Sequence, residues 1–169
     1  LGFTTSVQAI GGTAVVMERF DPANALRFIE QYRISHSQWV PTMFSRMLKL
    51  PPEQLTGYDW SSHQVAIHAA APCPVEVKRQ MLDLWGPIIY EYYAGTEGAG
   101  TCLIGPDEWL THKGSVGRSV SGPLHILDEH GQPVPAGEVG EVWFEHSSEF
   151  RYLNDDDKTV TAMDLLVPG

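Results

Sequence analysis

The chain has 169 residues, 43% of them hydrophobic, and its 21 acidic against 11 basic side chains give a net charge of −10. Such a length and apolar content suffice for one domain with a sizeable core. The negative charge argues against nucleic acid or an anionic membrane as partner, and it requires local donors and a metal ion wherever an anionic ligand is to be held. Cys73 and Cys102 form neither a CxxC nor a zinc pattern, which points to free thiols and a reducing cytoplasm. No apolar run approaches the ~20 residues of a transmembrane segment, and the opening residues do not read as a signal peptide.

In chain order, Phe3, Val7 and Ile10 recur at helical spacing before Gly11-Gly12, and Thr13 to Met17 reads as a short β-branched strand. Asp21-Pro22 forms a cap followed by a first-turn proline, and Ala25, Phe28, Ile29 and Tyr32 mark one face of the helix that follows. A strand over Ser37 to Val40 leads to a helix opened by Pro41, whose Met43, Phe44 and Met47, with Trp39, read as core. Pro51 to Ser62 is a polar connector.

A strand from Val65 to Ile67 then continues through His68 into Ala69-Ala70-Ala71-Pro72. The next helix starts near Pro74 with Val77, Met81, Leu84 and Trp85 inward, while Glu76, Lys78, Arg79 and Asp83 take the other face. Gly86-Pro87 stops it, and a strand at Ile88-Ile89-Tyr90 runs into a glycine-flanked loop, YYAGTEG, at 92–98. Beyond Gly100, Pro106 to Leu110 reads as one helical turn and HKGSVGR as a loop. Leu124 to Leu127 and Val139 to Phe144 read as strands, and Asn154 to Asp157 as the cap of a short helix.

This alternation predicts an α/β fold: a parallel or mixed sheet with covering helices over 1–100, followed by a smaller, antiparallel or mixed β part over 101–169. Ligands in such sheets bind beyond the carboxyl ends of the strands, where AAAP and YYAGTEG both fall. Alanines let backbone amides and carbonyls approach a flat base, Tyr93 offers an aromatic face, and Thr96 offers a hydroxyl to phosphate. Glu97 offers a carboxylate to Mg²⁺, a cation that prefers oxygen ligands. Gly95 and Gly98 accept turn conformations that other residues resist. On these residues alone a nucleotide site and an ordinary βαβ turn both stay open. His68 reads as a hydrogen-bonded core histidine or as a ligand contact, Asp155 to Asp157 as a solvated helix start, and Gly114 to Arg118 as a structural turn rather than a phosphate loop.

YYAGTEG resembles the aromatic-x-x-Thr-Glu signature of the adenylate-forming (AMP-binding) enzymes, a superfamily that includes acyl-CoA synthetases, luciferases and peptide-synthetase adenylation domains. HAAAPCP resembles the Gly-Gly-Ala-Pro-like segment that precedes this signature. HSQWVPTMFSRMLKLP, GSVGR, GEVGEVWF and YLNDDDKT follow the middle region of that family in order, to about Thr159, with the flavour of fatty acyl-CoA synthetases. The resemblance implies a carboxylate substrate such as a fatty acid, ATP giving acyl-AMP and pyrophosphate, Mg²⁺, and CoA as acyl acceptor.

By the same resemblance, Ala70, Ala71, Pro72, Tyr93, Ala94 and Gly95 border the adenylate, and Thr96 meets the α-phosphate. Glu97 holds Mg²⁺, with Thr96 and Glu97 the catalytic pair, while His68, Ala69 and Gly98 border the acyl group. The Ser/Thr/Gly-rich phosphate loop, the ribose-binding Asp and the C-terminal domain with its catalytic Lys have no counterpart in these 169 residues, and Asp164 does not stand in for that Asp. The chain therefore reads as part of the family's large N-terminal domain, partial and catalytically incompetent alone, with uncovered surfaces that predict a homo-oligomer. An adenylate-binding module, an inert structural piece, and luciferase-like or peptide-synthetase chemistry are the alternative readings.

Overall fold

A computed structural model describes residues 2–95, 98, 100–145, 151–156 and 159. The first helix, α1 (Gly2–Ala9), is followed by α2 (Pro22–Gln31), β1 (His36–Trp39), α3 (Pro41–Met47) and α4 (Pro52–Leu55). The central unit is β2 (Val65–His68), α5 (Val75–Trp85) and β3 (Ile89–Ala94), and it leads to β4 (Thr101–Ile104), α6 (Pro106–Thr111) and β5 (Arg118–Ser119). A hairpin of β6 (Leu124–Leu127) and β7 (Glu141–Phe144) follows. The large sheet has five strands in the order β1-β2-β3-β4-β5, and the small one pairs β6 with β7. β1, β2 and β3 are parallel, whereas β4 and β5 join antiparallel, which makes the large sheet mixed as expected. No helix among the described residues is long and apolar enough to cross a membrane.

Local chemistry accounts for most element ends. Asp21 caps α2 by accepting from the Asn24 amide at 2.8 Å, with Pro22 opening the helix. α5 ends at Gly86, whose φ of 79° lies in the left-handed region that glycine alone enters freely. The core gathers Leu26 and Ile29 from α2, Phe44 and Met47 from α3, Met81, Leu82 and Trp85 from α5, and Trp109 from α6. Trp39 and Phe44 pack against Trp85 with ring centroids 5.5 and 5.8 Å apart.

Several local expectations are corrected. Thr13 to Met17 forms no strand; β1 is the edge of the large sheet, and no ladder partner among the described residues takes up the backbone of 13–17. The stretch lies instead along a cavity of about 400 Å³ beside β1, together with Phe3, Phe28 and Met43. α4 occupies the supposed connector, opened by Pro52. Tyr92, Tyr93 and Ala94 belong to β3 rather than to a loop, because β4 pairs with them in antiparallel register. β4 and β5 carry too little alternation to be seen in the sequence. On α2, Leu26 rather than Tyr32 completes the buried face, and Tyr32 stays exposed.

Lys78 is the largest departure. It is fully buried rather than solvated, because the inward stripe of α5 runs 78-81-82-85 and the lysine falls within it.

Two histidines are also inside. His63 Nε2 meets Ser37 Oγ at 2.7 Å, and the same oxygen accepts from Trp39 Nε1 at 2.6 Å. Burial is the main cause that pulls His63 down from 6.5 to about 4, with the nearby His36 adding to it. Above pH 6.5 both folded and unfolded chains hold this ring neutral. Between 6.5 and 4 only the unfolded chain takes up the proton, so stability falls by about 1.4 kcal/mol per pH unit and levels off below that window. We predict that unfolding free energy from urea titrations drops by about 2 kcal/mol from this residue between pH 6.5 and 5. His63→Gln, which keeps a polar atom toward Ser37, should make that part of the profile shallower, leaving the similar slope from buried His68; an unchanged slope would contradict the assignment.

Candidate functional site

The parallel register of β2 and β3 pairs Ala66 with Ile89, Ile67 with Tyr90 and His68 with Glu91. Both strands therefore release their chains on the same edge of the sheet, one into Ala69 to Pro72 and the other through Tyr93 toward Gly95. A cleft of about 620 Å³ opens there, with Ala70, Ala71, Pro72 and Cys73 on one wall and Glu91, Tyr92, Tyr93 and Ala94 on another. Its size is within the range of small-molecule sites. Tyr93 stands 46% exposed, enough to present a ring face to a ligand.

The alanine wall is held in an unusual conformation. Ala70 has φ 75°, a left-handed geometry that L-residues adopt at a cost. The chain turns there and exposes Ala70 and Ala71 to the cleft, while Ala69 stays buried with its amide donating to the Trp39 carbonyl at 3.4 Å. Downstream of β3, Gly98 (φ 73°) donates its amide to the Gly95 carbonyl at 3.2 Å. Thr96 and Glu97 lie outside the described residues.

Of the anticipated contacts, Ala70, Ala71, Pro72, Tyr93 and Ala94 thus converge on one cleft. His68 and Ala69 do not line it. His68 is fully buried, its ring edge-on to Phe44 at 5.5 Å. Burial first, then the charge of Lys78, lowers its pKa to about 3, so it stands as a neutral imidazole beneath the cleft. Gly95 and Gly98 are not among its lining residues.

Residues not anticipated complete the cleft. Gly114, Val116 and Gly117 from the GSVGR stretch form a further wall, and Leu124, Ile126 and Val142 bring the small sheet against it. Gly117 has φ 86°, and a Cβ there would collide with the Leu103 carbonyl, so the segment is a structural turn that also borders the cleft. The motif was visible in the sequence; its nearness to Tyr93 was not.

Charge sits just below. Glu91 Oε2 accepts from Lys78 Nζ at 2.6 Å and lies 3.4 Å from His68 Nε2. The lysine also lies over the Trp109 ring, 4.9 Å from its centroid. Burial draws the Lys78 pKa down while Glu91 holds it up. Cys73, on the cleft wall, is pushed up to about 11, by burial first and then by Glu91, which makes it an inert thiol.

As for metal binding, no group of three or more His, Cys, Asp or Glu among the described residues could hold an ion.

The sequence profile of the family described as AMP-binding enzyme matches residues 2–152. The medium/long-chain-fatty-acid–CoA ligase FadD8 of Mycobacterium tuberculosis is 34% identical over 143 residues, which span 83% of this chain and 25% of that protein. A feruloyl-CoA synthase of Amycolatopsis sp is 31% identical over 134 residues, 78% of this chain and 27% of that protein. The structure of the amide bond synthetase McbA from Marinactinospora thermotolerans superimposes with a TM-score of 0.79 at 27% identity, over 94% of this chain and 33% of that one. The chain thus spans about a quarter to a third of the length of these relatives.

One close contact makes the cleft testable without a ligand. A Cβ at Gly100 would fall within the ring of Phe144, which is buried at the end of β7. We predict that Gly100→Ala displaces the small sheet and costs about 1–3 kcal/mol, the usual range for overpacking. Adding Phe144→Ala should recover part of that loss, read as a less-than-additive double-mutant cycle in urea unfolding. Strict additivity would mean that the two residues do not touch.

Proposed function

The chain belongs to the AMP-binding enzyme family, and from that premise we propose that it carries the adenylate-contacting part of an ATP-dependent acyl-CoA ligase. In this reading a fatty or other carboxylic acid attacks the α-phosphorus of ATP in line, pyrophosphate leaves, and the thiol of CoA then displaces AMP from the acyl-adenylate. The observation that carries the reading is the meeting of Ala70, Ala71, Pro72, Tyr93 and Ala94 around one cleft. Such walls suit a planar base: small side chains let the backbone approach it on one side, and an exposed phenol ring packs on the other.

Thr96 donates its hydroxyl to the α-phosphate, and Glu97 holds Mg²⁺. When bound, that ion offsets the charge of the phosphate oxygens. Gly95 borders the adenylate and Gly98 the acyl group. His68 and Ala69 support the acyl side of the site from beneath the cleft. Neutral His68 adds no charge there, which suits an apolar acyl chain. The 169 residues bind an adenylate without forming one, since the phosphate loop, the ribose-binding Asp and the catalytic Lys of the family have no counterpart among them. Two free thiols are compatible with a cytoplasmic setting, which this reading adopts.

The test is calorimetric titration with a non-hydrolysable acyl-adenylate in Mg²⁺, with AMP alone as control. Saturable binding is expected, weakened by ~1–3 kcal/mol in Thr96→Ala through loss of a charged hydrogen bond, and also weakened in Glu97→Ala, which removes the Mg²⁺ ligand, and in Tyr93→Ala. No binding up to millimolar ligand, or binding indifferent to all three changes, would remove the adenylate assignment. We further infer self-association: Ile10, Val16 and Val139 are 86%, 74% and 98% exposed, and apolar surface favours contact where it is contiguous. Light scattering at high concentration should report a dimer or larger species; a monodisperse monomer would overturn it.

A further inference from the structure

One charged side chain on the cleft is more than nine-tenths buried, and adenylate binding as read above gives it no task. Glu91 is 6% exposed and lines the cleft. Its Oε2 accepts from Lys78 Nζ at 2.6 Å and stands 3.4 Å from His68 Nε2. The three residues come from three elements. His68 ends β2 and directly precedes the alanine wall, Lys78 lies in the first turns of α5 just after Pro72-Cys73, and Glu91 sits on β3 two residues before Tyr93. Lys78 reaches a fourth element, α6, through the Trp109 ring at 4.9 Å. The hydrogen bond thus ties α5, which follows the alanine wall, to β3, which leads to Tyr93, while the His68 ring lies beside the same carboxylate without a hydrogen bond of its own.

Stability alone does not account for such a pair. Desolvating two charges offsets most of their attraction, and apolar residues of similar volume hold a core equally well or better. A charged hydrogen bond supplies direction instead, because it fixes a donor and an acceptor at one separation where apolar surfaces tolerate sliding. We propose that Lys78 and Glu91 are positioning residues that set the spacing between the alanine wall and Tyr93, and so the width of the cleft for a planar ligand. The claim rests on the cleft being the adenylate site, but its geometric half is measurable with no ligand present.

The variant that separates positioning from stability is Lys78→Met combined with Glu91→Met, which removes both charges and leaves neither unpaired. Its urea midpoint should stay near that of the unaltered chain. Amide hydrogen exchange over 69–73 and 92–95 should quicken at least threefold while exchange over α2 and α3 holds, and the Kd for the non-hydrolysable acyl-adenylate should rise at least tenfold. Wild-type exchange and affinity in a double variant of wild-type stability would overturn the proposal and leave the pair a structural contact only. Should the double variant not fold, Glu91→Gln keeps the shape and one oxygen acceptor for Lys78. There the same local exchange should rise, and unchanged exchange overturns the proposal equally. If the unaltered chain binds no adenylate yet exchange responds as stated, the adenylate reading fails while the positioning role stands.

Discussion

Parallel pairing of β2 with β3 is the constraint from which the site follows. Two parallel neighbours must finish on the same edge, so the chain leaving His68 and the chain leaving Ala94 are delivered side by side although a crossover through α5, residues 69–88, separates the strands. Antiparallel pairing would have sent one of them to the opposite edge. The crossover is made by α5, whose buried stripe of Met81, Leu82 and Trp85 seals it to the sheet, and its hold on the core is the hold on the cleft. β4 then reverses direction along β3 and carries the chain back past Tyr93 to α6 and the glycine turn at 114–117.

Below the cleft the fold accepts a cost that most small domains avoid. An ammonium and a carboxylate are both withdrawn from water and compensated by one short contact and by the face of Trp109. The neighbouring imidazole of His68 stays neutral for the same reason: a second cation beside Lys78 in an apolar setting is disfavoured twice. The charges are therefore concentrated in a single pair, and the cleft above it remains mostly apolar, lined by alanine, proline, valine and aromatic carbon.

How far the sequence reaches can be seen in particular elements. α2, α3 and α5 were legible because their periodicity and proline or aspartate openings act within a single turn, and β2, β6 and β7 were legible from apolar runs between turn residues. The segments AAAP and YYAGTEG, and the expectation that they share a site, followed from strand order alone. β4 and β5 were not legible, since Thr101 to Ile104 and Arg118-Ser119 are strands only by virtue of pairing with a neighbour. Thr13 to Met17 failed in the opposite sense: its β-branched residues favour extension, but propensity makes no sheet without a partner.

The sequence by itself determined the class of fold, the family and the residues of the two loops, because these depend on local spacing and on motifs in a linear order. The tertiary structure decided what surrounds them. It placed Lys78 and Glu91 in contact across 13 positions of chain, turned the GSVGR segment onto the cleft, set His68 beneath it rather than in it, and pressed Phe144 into the space left by Gly100. Each of these depends on where a distant element arrives, and burial changes what a side chain does: a lysine that reads as surface becomes an internal cation once its helix rotates it inward.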